Sequence, residues 1–134
     1  MYALGIDGGG SRTRALLCDA YGQIIGEGLS GGTNPRTSST AELKSHLQEA
    51  IEQATRSIDC SKIIAAHFGL AGAGEADTRA KVRTITKELL GKQTACTIGH
   101  DLEIALAGGL VNKTGIVLVA GTGSACYGRT CDGR

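Results

Sequence analysis

The chain has 134 residues, of which 41% are hydrophobic, so it can bury the core of a folded domain and is not a disordered segment. Its net charge of +1 argues against an electrostatic nucleic-acid binder. Because we find neither a membrane-spanning apolar run nor a secretory leader, we expect a cytoplasmic protein with no membrane partner and no nucleic-acid partner.

The first third of the chain predicts an antiparallel meander. Three strand-like runs, at 2–7, 13–18 and 23–30, are separated by short turns that contain glycine. Ser39 and Glu42 then have the spacing of a capping box, which predicts the start of a helix. Apolar residues recur at helical spacing from Leu43 to Ile58, so one face of this helix should be buried.

The rest of the chain alternates strands with helices. Strands are predicted at 63–69, 95–99 and 115–120, and helices at 75–90 and 102–110. Gly91 is typical of the residue that ends a helix. A meander followed by this alternation predicts an α/β fold with a mixed sheet and flanking helices.

The chain also contains an internal repeat. Its members are all separated by 113 residues, and the pairs are Gly8 and Gly121, Gly10 and Gly123, Ser11 and Ser124, Cys18 and Cys131, and Asp19 and Asp132. A separation of this size indicates duplicated domains rather than a solenoid. We therefore expect residues 1–113 to form a first domain and residues 114–134 to be the opening strands of a second, truncated copy. The alternative is a closing hairpin at a frayed terminus.

The turn between the first two predicted strands could bind phosphate. Its three consecutive glycines let backbone N–H groups approach an anion, and the hydroxyls of Ser11 and Thr13 could add donors. The carboxylate of Asp7, at the end of the first strand, could hold Mg²⁺ against phosphate oxygens. The turn fits neither a Walker A loop nor a dinucleotide fingerprint. A simple glycine-rich hairpin is the alternative.

Three further residues are candidates for contact with a substrate. Asp101 lies between a predicted strand and a predicted helix, and ligands of α/β sheets collect at the carboxyl ends of strands. A carboxylate there could accept the proton of a hydroxyl that attacks phosphorus, or it could simply cap the helix. Asn34 and Gly72 lie in two loops that could bind sugar hydroxyls or be purely structural.

The candidate residues belong to an ordered set of motifs. These are Asp7-Gly8-Gly9-Gly10-Ser11-Arg12-Thr13, Thr33-Asn34, Leu70-Ala71-Gly72-Ala73-Gly74, Asp101 and Ala120-Gly121-Thr122-Gly123-Ser124. In this order they resemble the motifs of N-acetylglucosamine and glucosamine kinases, and of the wider BadF/BadG/BcrA/BcrD ATPase family. The resemblance covers essentially the whole chain. It implies a duplicated actin-like ATPase fold, related to ribonuclease H, with ATP and a sugar in the cleft between two domains.

The resemblance also implies a role for each motif. Asp7 would position Mg²⁺, and Asp101 would be the catalytic base that activates the sugar 6-hydroxyl. The residues that would bind the ATP phosphates are Gly8, Gly9, Gly10, Gly121, Thr122 and Gly123. The residues on the sugar side would be Asn34, Gly72, Asp101 and Thr122. The family's adenosine-binding segment has no counterpart in this chain.

Three functions are therefore open. The first is an ATP-dependent kinase that acts on an amino sugar. The second is an ATPase that activates a partner enzyme, and it ranks lower because Cys126 and Cys131 lie on a predicted strand and turn rather than where an iron–sulfur cluster would need them. The third is an inactive fragment of the first domain, whose unpaired strand edge could form a homodimer.

Overall fold

Seven strands and three α-helices make up the part of the chain that the structure, a computed structural model, describes, which is residues 1–110, 113–120 and 124–132. The strands are β1 (Tyr2–Gly8), β2 (Arg12–Cys18), β3 (Ile24–Gly31), β4 (Ile63–Leu70), β5 (Ala95–Gly99), β6 (Gly115–Ala120) and β7 (Ser124–Arg129). The helices are α1 (Thr40–Thr55), α2 (Ala76–Leu90) and α3 (Asp101–Leu110), and a short 3-10 helix (Cys60–Lys62) precedes β4.

The main sheet has five strands in the order β3-β2-β1-β4-β5. The first three strands form an antiparallel meander, whereas β4 and β5 run parallel to β1. The mixed α/β sheet predicted from the sequence is thereby confirmed. Because β1, β4 and β5 are parallel, their carboxyl ends lie along one edge of the sheet.

The core lies on one face of this sheet. Leu4 and Ile6 of β1 are buried against Phe68 of β4, and the apolar sides of α1 and α2 cover the same face. Since successive side chains of a strand point to opposite faces, Gly5 and Asp7 belong to the other face, on which α3 lies. The alternation of β1 therefore separates the core from the face that carries Asp7.

Helix α1 begins with the predicted capping box. The backbone N–H of Glu42 donates to Ser39 Oγ at 3.2 Å, and the N–H of Ser39 donates to Glu42 Oε2 at 2.9 Å. The helix ends at Thr55, so the expectation that it extends to Ile58 was wrong. The N–H of Ile58 donates to the carbonyl of Thr55, only three residues earlier, which is a tight turn and not a continued α-helix.

The approach of α1 to β3 is close enough to require glycine. A Cβ atom at Gly26 would lie 1.9 Å from the Ala54 carbonyl oxygen, and one at Gly28 would lie 1.9 Å from the Ala50 carbonyl oxygen. The glycines of the third predicted strand therefore serve packing, which explains part of the unusual glycine content of the chain.

Strands β6 and β7 form a separate antiparallel pair. Large apolar side chains of β6 remain exposed, namely Ile116, Leu118 and Val119. Fewer residues connect β6 to β7 than connect β1 to β2, the proposed equivalent pair. Ala120 pairs with Ser124 in the first case, whereas Gly8 pairs with Thr13 in the second. The assignment of 114–134 to a second domain stays a prediction. None of the helices among the described residues is both long and apolar enough to cross a membrane.

Candidate active site

Two carboxylates meet at the carboxyl edge of the sheet. Asp7 pairs with Gly69 of β4, which in turn pairs with Gly99 at the end of β5. Neighbouring strands lie about 4.8 Å apart, so the Cα atoms of Asp7 and Gly99 are about 10 Å apart, and Asp101 follows Gly99 by two residues. Asp7 and Asp101 line the same pocket, of about 490 Å³, together with Arg12.

Gly69, on the strand between the two carboxylates, allows them to lie close together. A Cβ atom there would lie 2.4 Å from Ile104 Cδ1 of α3 and 3.2 Å from the His100 carbonyl oxygen. The absence of a side chain on the middle strand therefore lets α3 lie against the sheet. As a result, Asp101, the first residue of α3, comes near Asp7.

The pKa of Asp7 is raised above its ordinary value. Partial loss of water around the carboxylate at the sheet edge is the largest cause, and the negative charge of Asp101 is the second. The positive charges of Arg12 and Arg14 act in the opposite direction but do not cancel the effect. The ionised pair of carboxylates is thus electrostatically unfavourable alone, and a cation placed between them would stabilise it.

The glycine turn connects the loops of the site through its backbone. Gly9 donates its N–H to the Arg12 carbonyl at 2.9 Å and accepts the Thr33 N–H at 2.9 Å. The Gly8 carbonyl accepts the N–H of Ala71 at 2.8 Å. The turn therefore holds the loop that follows β3 and the loop that follows β4, which are the two loops of the sugar-side prediction.

The hydroxyls predicted to bind phosphate lie in different places. Ser11 is exposed at the turn. Thr13 is fully buried, and its hydroxyl donates to the Gly31 carbonyl at 2.8 Å and shares a hydrogen bond of 2.8 Å with the Thr33 hydroxyl. The Thr13 hydroxyl thus lies beneath the turn and supports it, on the core face of β2. In this structure it is not available to a ligand in the pocket.

Asp101 is held at the start of α3 by short polar contacts. Its Oδ1 lies 2.5 Å from His100 Nδ1 and accepts the Leu102 N–H at 3.0 Å. Glu103 accepts the N–H of His100 at 3.1 Å, and Glu103 donates its own N–H to the His100 carbonyl. Glu103 was not predicted from the sequence, although a Glu three residues after a helix cap indicates a capping side chain.

Asn34 and Gly72 contact each other, as two neighbouring loops should at one ligand site. Gly72 has a φ of 82°, and a Cβ atom there would lie 2.4 Å from Asn34 Oδ1, so no other residue fits well. Asn34 Oδ1 also accepts the N–H of Arg36 at 3.0 Å. Neither residue is among the described residues that line the 490 Å³ pocket. In the same loop, a Cβ atom added at Gly74 would lie 4.0 Å from His100 Cδ2.

The second glycine turn, Gly121, Thr122 and Gly123, lies outside the described residues. Its predicted contacts with phosphate and sugar therefore stay predictions.

The carboxylates at this edge of the sheet fit Mg²⁺ as one or two ligands that act together with water and phosphate oxygens. Among the described residues no group of three or more His, Cys, Asp or Glu side chains could hold a metal ion. Mg²⁺ needs only one or two carboxylates, because it keeps several waters and binds the phosphates of its nucleotide. Asp7, a solvent-accessible carboxylate in a pocket beside the glycine turn, fits this requirement.

Comparison with known proteins identifies the family. Residues 4–134 match the BadF/BadG/BcrA/BcrD ATPase family. The chain belongs to this family. It is 35% identical to the N-acetylmuramic acid/N-acetylglucosamine kinase of Clostridium acetobutylicum, over 99% of this chain and 44% of that protein. It is 27% identical to the N-acetyl-D-glucosamine kinase of Dictyostelium discoideum, over 97% of this chain and 44% of that protein.

Solved structures agree on the fold. A candidate N-acetylglucosamine kinase from Chromobacterium violaceum superposes with a TM-score of 0.77 at 22% identity, over 99% of this chain and 46% of that one. The inorganic polyphosphate/ATP-glucomannokinase of an Arthrobacter strain gives 0.62 at 16% identity, over 96% of this chain and 58% of that one. The BadF-family domain thus has the fold of actin-like sugar kinases, and it spans less than half the length of the curated relatives it matches.

Proposed function

We propose that this chain is part of an ATP-dependent kinase that phosphorylates an amino sugar, N-acetylglucosamine or glucosamine, at its 6-hydroxyl. Residues 1–113 would be the first domain and residues 114–134 the opening of the second. One observation carries the proposal: Asp7 and Asp101 line the same pocket at the carboxyl edge of the sheet, beside a glycine turn. The kinases among its relatives support the substrate class.

The glycine turn would bind the phosphates of ATP. The N–H of Gly9 closes the turn on the Arg12 carbonyl, so the donors would be the backbone N–H of Gly10 and the exposed hydroxyl of Ser11. Gly8 keeps the turn close to its supporting loops. Asp7 would hold Mg²⁺, which neutralises phosphate charge when it is bound. Gly121, Thr122 and Gly123 would contact the same phosphates from the second copy, and Thr122 the sugar as well.

Asp101 would act as the general base. Its carboxylate would take the proton of the sugar 6-hydroxyl, so that the oxygen attacks the terminal phosphorus of ATP as the bond to ADP breaks. The proton then leaves Asp101 for water. The close contact with His100 Nδ1 and the hydrogen bond from the Leu102 N–H fix the direction of the carboxylate before the sugar arrives. Positioning and charge stabilisation supply most of the rate of such reactions.

Asn34 and Gly72 would form the sugar side of the site. Asn34 uses Oδ1 to fix its own loop, which leaves its amide N–H₂ as the group for a sugar hydroxyl. We further propose that the protein works in the cytoplasm, where ATP is available, and that it could form a homodimer.

The test is Asp101→Asn in the complete protein, since Asn keeps the size of the side chain but is a very poor base. We expect sugar binding to persist while kcat falls by about 10²–10⁴-fold. Asp59→Asn is the matched control, because Asp59 is an exposed carboxylate before the opposite end of β4. A turnover of Asp101→Asn close to that of the control would contradict the role of Asp101.

A partner-activating ATPase is separated from the kinase by its products. Such an ATPase would release ADP and inorganic phosphate without any sugar, and those that carry an iron–sulfur cluster would show an iron-dependent absorbance band in anaerobically purified protein. The kinase releases ADP only together with an equal amount of sugar phosphate.

A further inference from the structure

The two arginines of β2 point to the same side of the sheet as Asp7 but have different partners. Arg14 pairs across the strands with Asp7, and its Nε lies 2.7 Å from Glu27 Oε1, so its charge is largely matched. Arg12 has no ion-pair partner among the described residues, although it lines the pocket that contains both Asp7 and Asp101. Among the described residues that line this pocket, Arg12 is therefore the cation whose charge remains available to a ligand.

A backbone hydrogen bond holds Arg12 in place, and this defines the direction in which its side chain leaves the strand. Its carbonyl accepts the N–H of Gly9 at 2.9 Å, so Arg12 is tied to the opposite side of the proposed phosphate-binding turn. Its side chain is exposed and shares the pocket with Gly9. A guanidinium presents five N–H donors in a planar fork that matches phosphate oxygens.

The charges of the pocket explain why a phosphate would need this arginine. The Arg14–Glu27 pair contributes little net charge, whereas Asp7 and Asp101 contribute two negative charges when ionised. A triphosphate entering this pocket would be repelled by both carboxylates. Mg²⁺ would offset part of this repulsion. Among the described residues of the pocket, Arg12 is the side chain whose positive charge can offset a further part.

We infer that Arg12 binds the phosphoryl group in transfer and stabilises the negative charge on its oxygens as the bond to ADP breaks and the bond to the sugar oxygen forms. The inference rests on the proposed kinase function. It adds a catalytic residue at the start of β2, directly after the turn, and selects Arg12 rather than its ion-paired neighbour Arg14. The guanidinium exchanges no proton, so the step stays balanced with Asp101 as the only base.

The test compares Arg12→Ala, Arg12→Lys, Arg14→Ala and Arg83→Ala in the complete protein. For Arg12→Ala we expect kcat to fall by about 10²–10³-fold, as for loss of one preorganised charge-stabilising donor, with little change in KM for the sugar. Arg12→Lys should recover part of the loss, because a lysine keeps the charge but not the fork. Added guanidinium should raise the rate of Arg12→Ala and not that of Asp101→Asn.

Arg83 is an exposed residue of α2, away from the pocket, and its replacement should leave kcat unchanged. Because Arg12 is exposed and has no described ion pair, Arg12→Ala should unfold at the same denaturant concentration as the wild type. A loss for Arg14→Ala that exceeds the loss for Arg12→Ala would overturn the inference. An Arg12→Ala enzyme that retains more than about half of the wild-type kcat would overturn it as well.

The outcome is separable from that of the proposed function. If the wild type phosphorylates no amino sugar, the kinase proposal fails, and Arg12 is then tested by ATPγS affinity alone. In that measurement Arg12→Ala should weaken binding at least tenfold, whereas Arg83→Ala should not. Equal ATPγS affinities for these two variants in a protein that binds ATPγS would overturn the role of Arg12 independently of any sugar.

Discussion

The sharpest structural prediction concerns Gly8, which the sequence alone suggests is only a phosphate ligand. In Gly8→Ala the new Cβ would lie 2.1 Å from Thr33 Oγ1 and 2.5 Å from Leu70 Cδ2. Both neighbours are fully buried, and Thr33 Oγ1 is engaged with the Thr13 hydroxyl, so neither can move at low cost. The turn and its supporting loop would have to separate.

Two contributions determine how much stability Gly8→Ala should lose. Overpacking of a well-filled site costs about 1–3 kcal/mol, and loss of the buried Thr13–Thr33 hydrogen bond costs about 1 kcal/mol more. We therefore expect the free energy of unfolding of Gly8→Ala to fall by about 2–4 kcal/mol, measured by urea denaturation of the 134-residue chain. Gly10→Ala is the matched control in the same turn, because a Cβ there meets nothing within 4 Å.

A double mutant identifies the contact responsible. Thr33→Ala removes the nearest clashing atom, while the Thr13 hydroxyl keeps its bond to the Gly31 carbonyl. The added cost of Gly8→Ala should therefore be smaller in the Thr33→Ala background than in the wild type. Equal costs in both backgrounds, or a Gly8→Ala variant as stable as Gly10→Ala, would show that the approach of Gly8 to Thr33 does not limit the size of the residue at position 8.

Two more predictions concern the carboxylates. Because the folded-state pKa of Asp7 is raised, ionisation of Asp7 disfavours the fold, and this loss of stability appears as the pH rises through that pKa. Asp7→Asn should thus have a higher urea midpoint than the wild type at pH 7 but not at about pH 3, and a lower midpoint at pH 7 would contradict it. Asp59→Asn should instead have a lower urea midpoint than the wild type at pH 7. Hydrogen bonds from Ser61 lower the pKa of Asp59, so the ionised form of Asp59 favours the fold. Glu103→Ala should destabilise α3 by about 1 kcal/mol and lower kcat more than it raises KM for the sugar, whereas Glu103→Gln, which keeps the acceptor for the His100 N–H, should retain most of both. Equal effects of Glu103→Ala and Glu103→Gln would show that the hydrogen bond from the His100 N–H to Glu103 is unimportant.

Local patterns in the sequence were enough to predict the elements of the fold. The alternation of Leu4 and Ile6, the capping box of Ser39 and Glu42, and the stop at Gly91 each depend on residues close in sequence. The early end of α1 was missed because apolar spacing continues to Ile58, whereas hydrogen bonding does not.

The site was predictable in part. Placing Asp7 and Asp101 at strand ends was enough to expect them at one edge, since parallel strands end together. The burial of Thr13 could also have been read, because it shares a face of β2 with Ala15 and Leu17. The contact of Gly8 with Thr33 and the different pairing of Arg12 and Arg14 depend on strand register, which no local pattern specifies.

Product analysis decides whether this member of the BadF/BadG/BcrA/BcrD ATPase family is part of an amino-sugar kinase. The complete protein would be incubated with ATP, Mg²⁺ and each of N-acetylglucosamine, glucosamine and glucose, with ADP and phosphorylated sugar measured together. We predict equal amounts of ADP and sugar 6-phosphate with an amino sugar, and little ADP without sugar. ADP release at the same rate with and without sugar, with no sugar phosphate formed, would show that the protein is not an amino-sugar kinase.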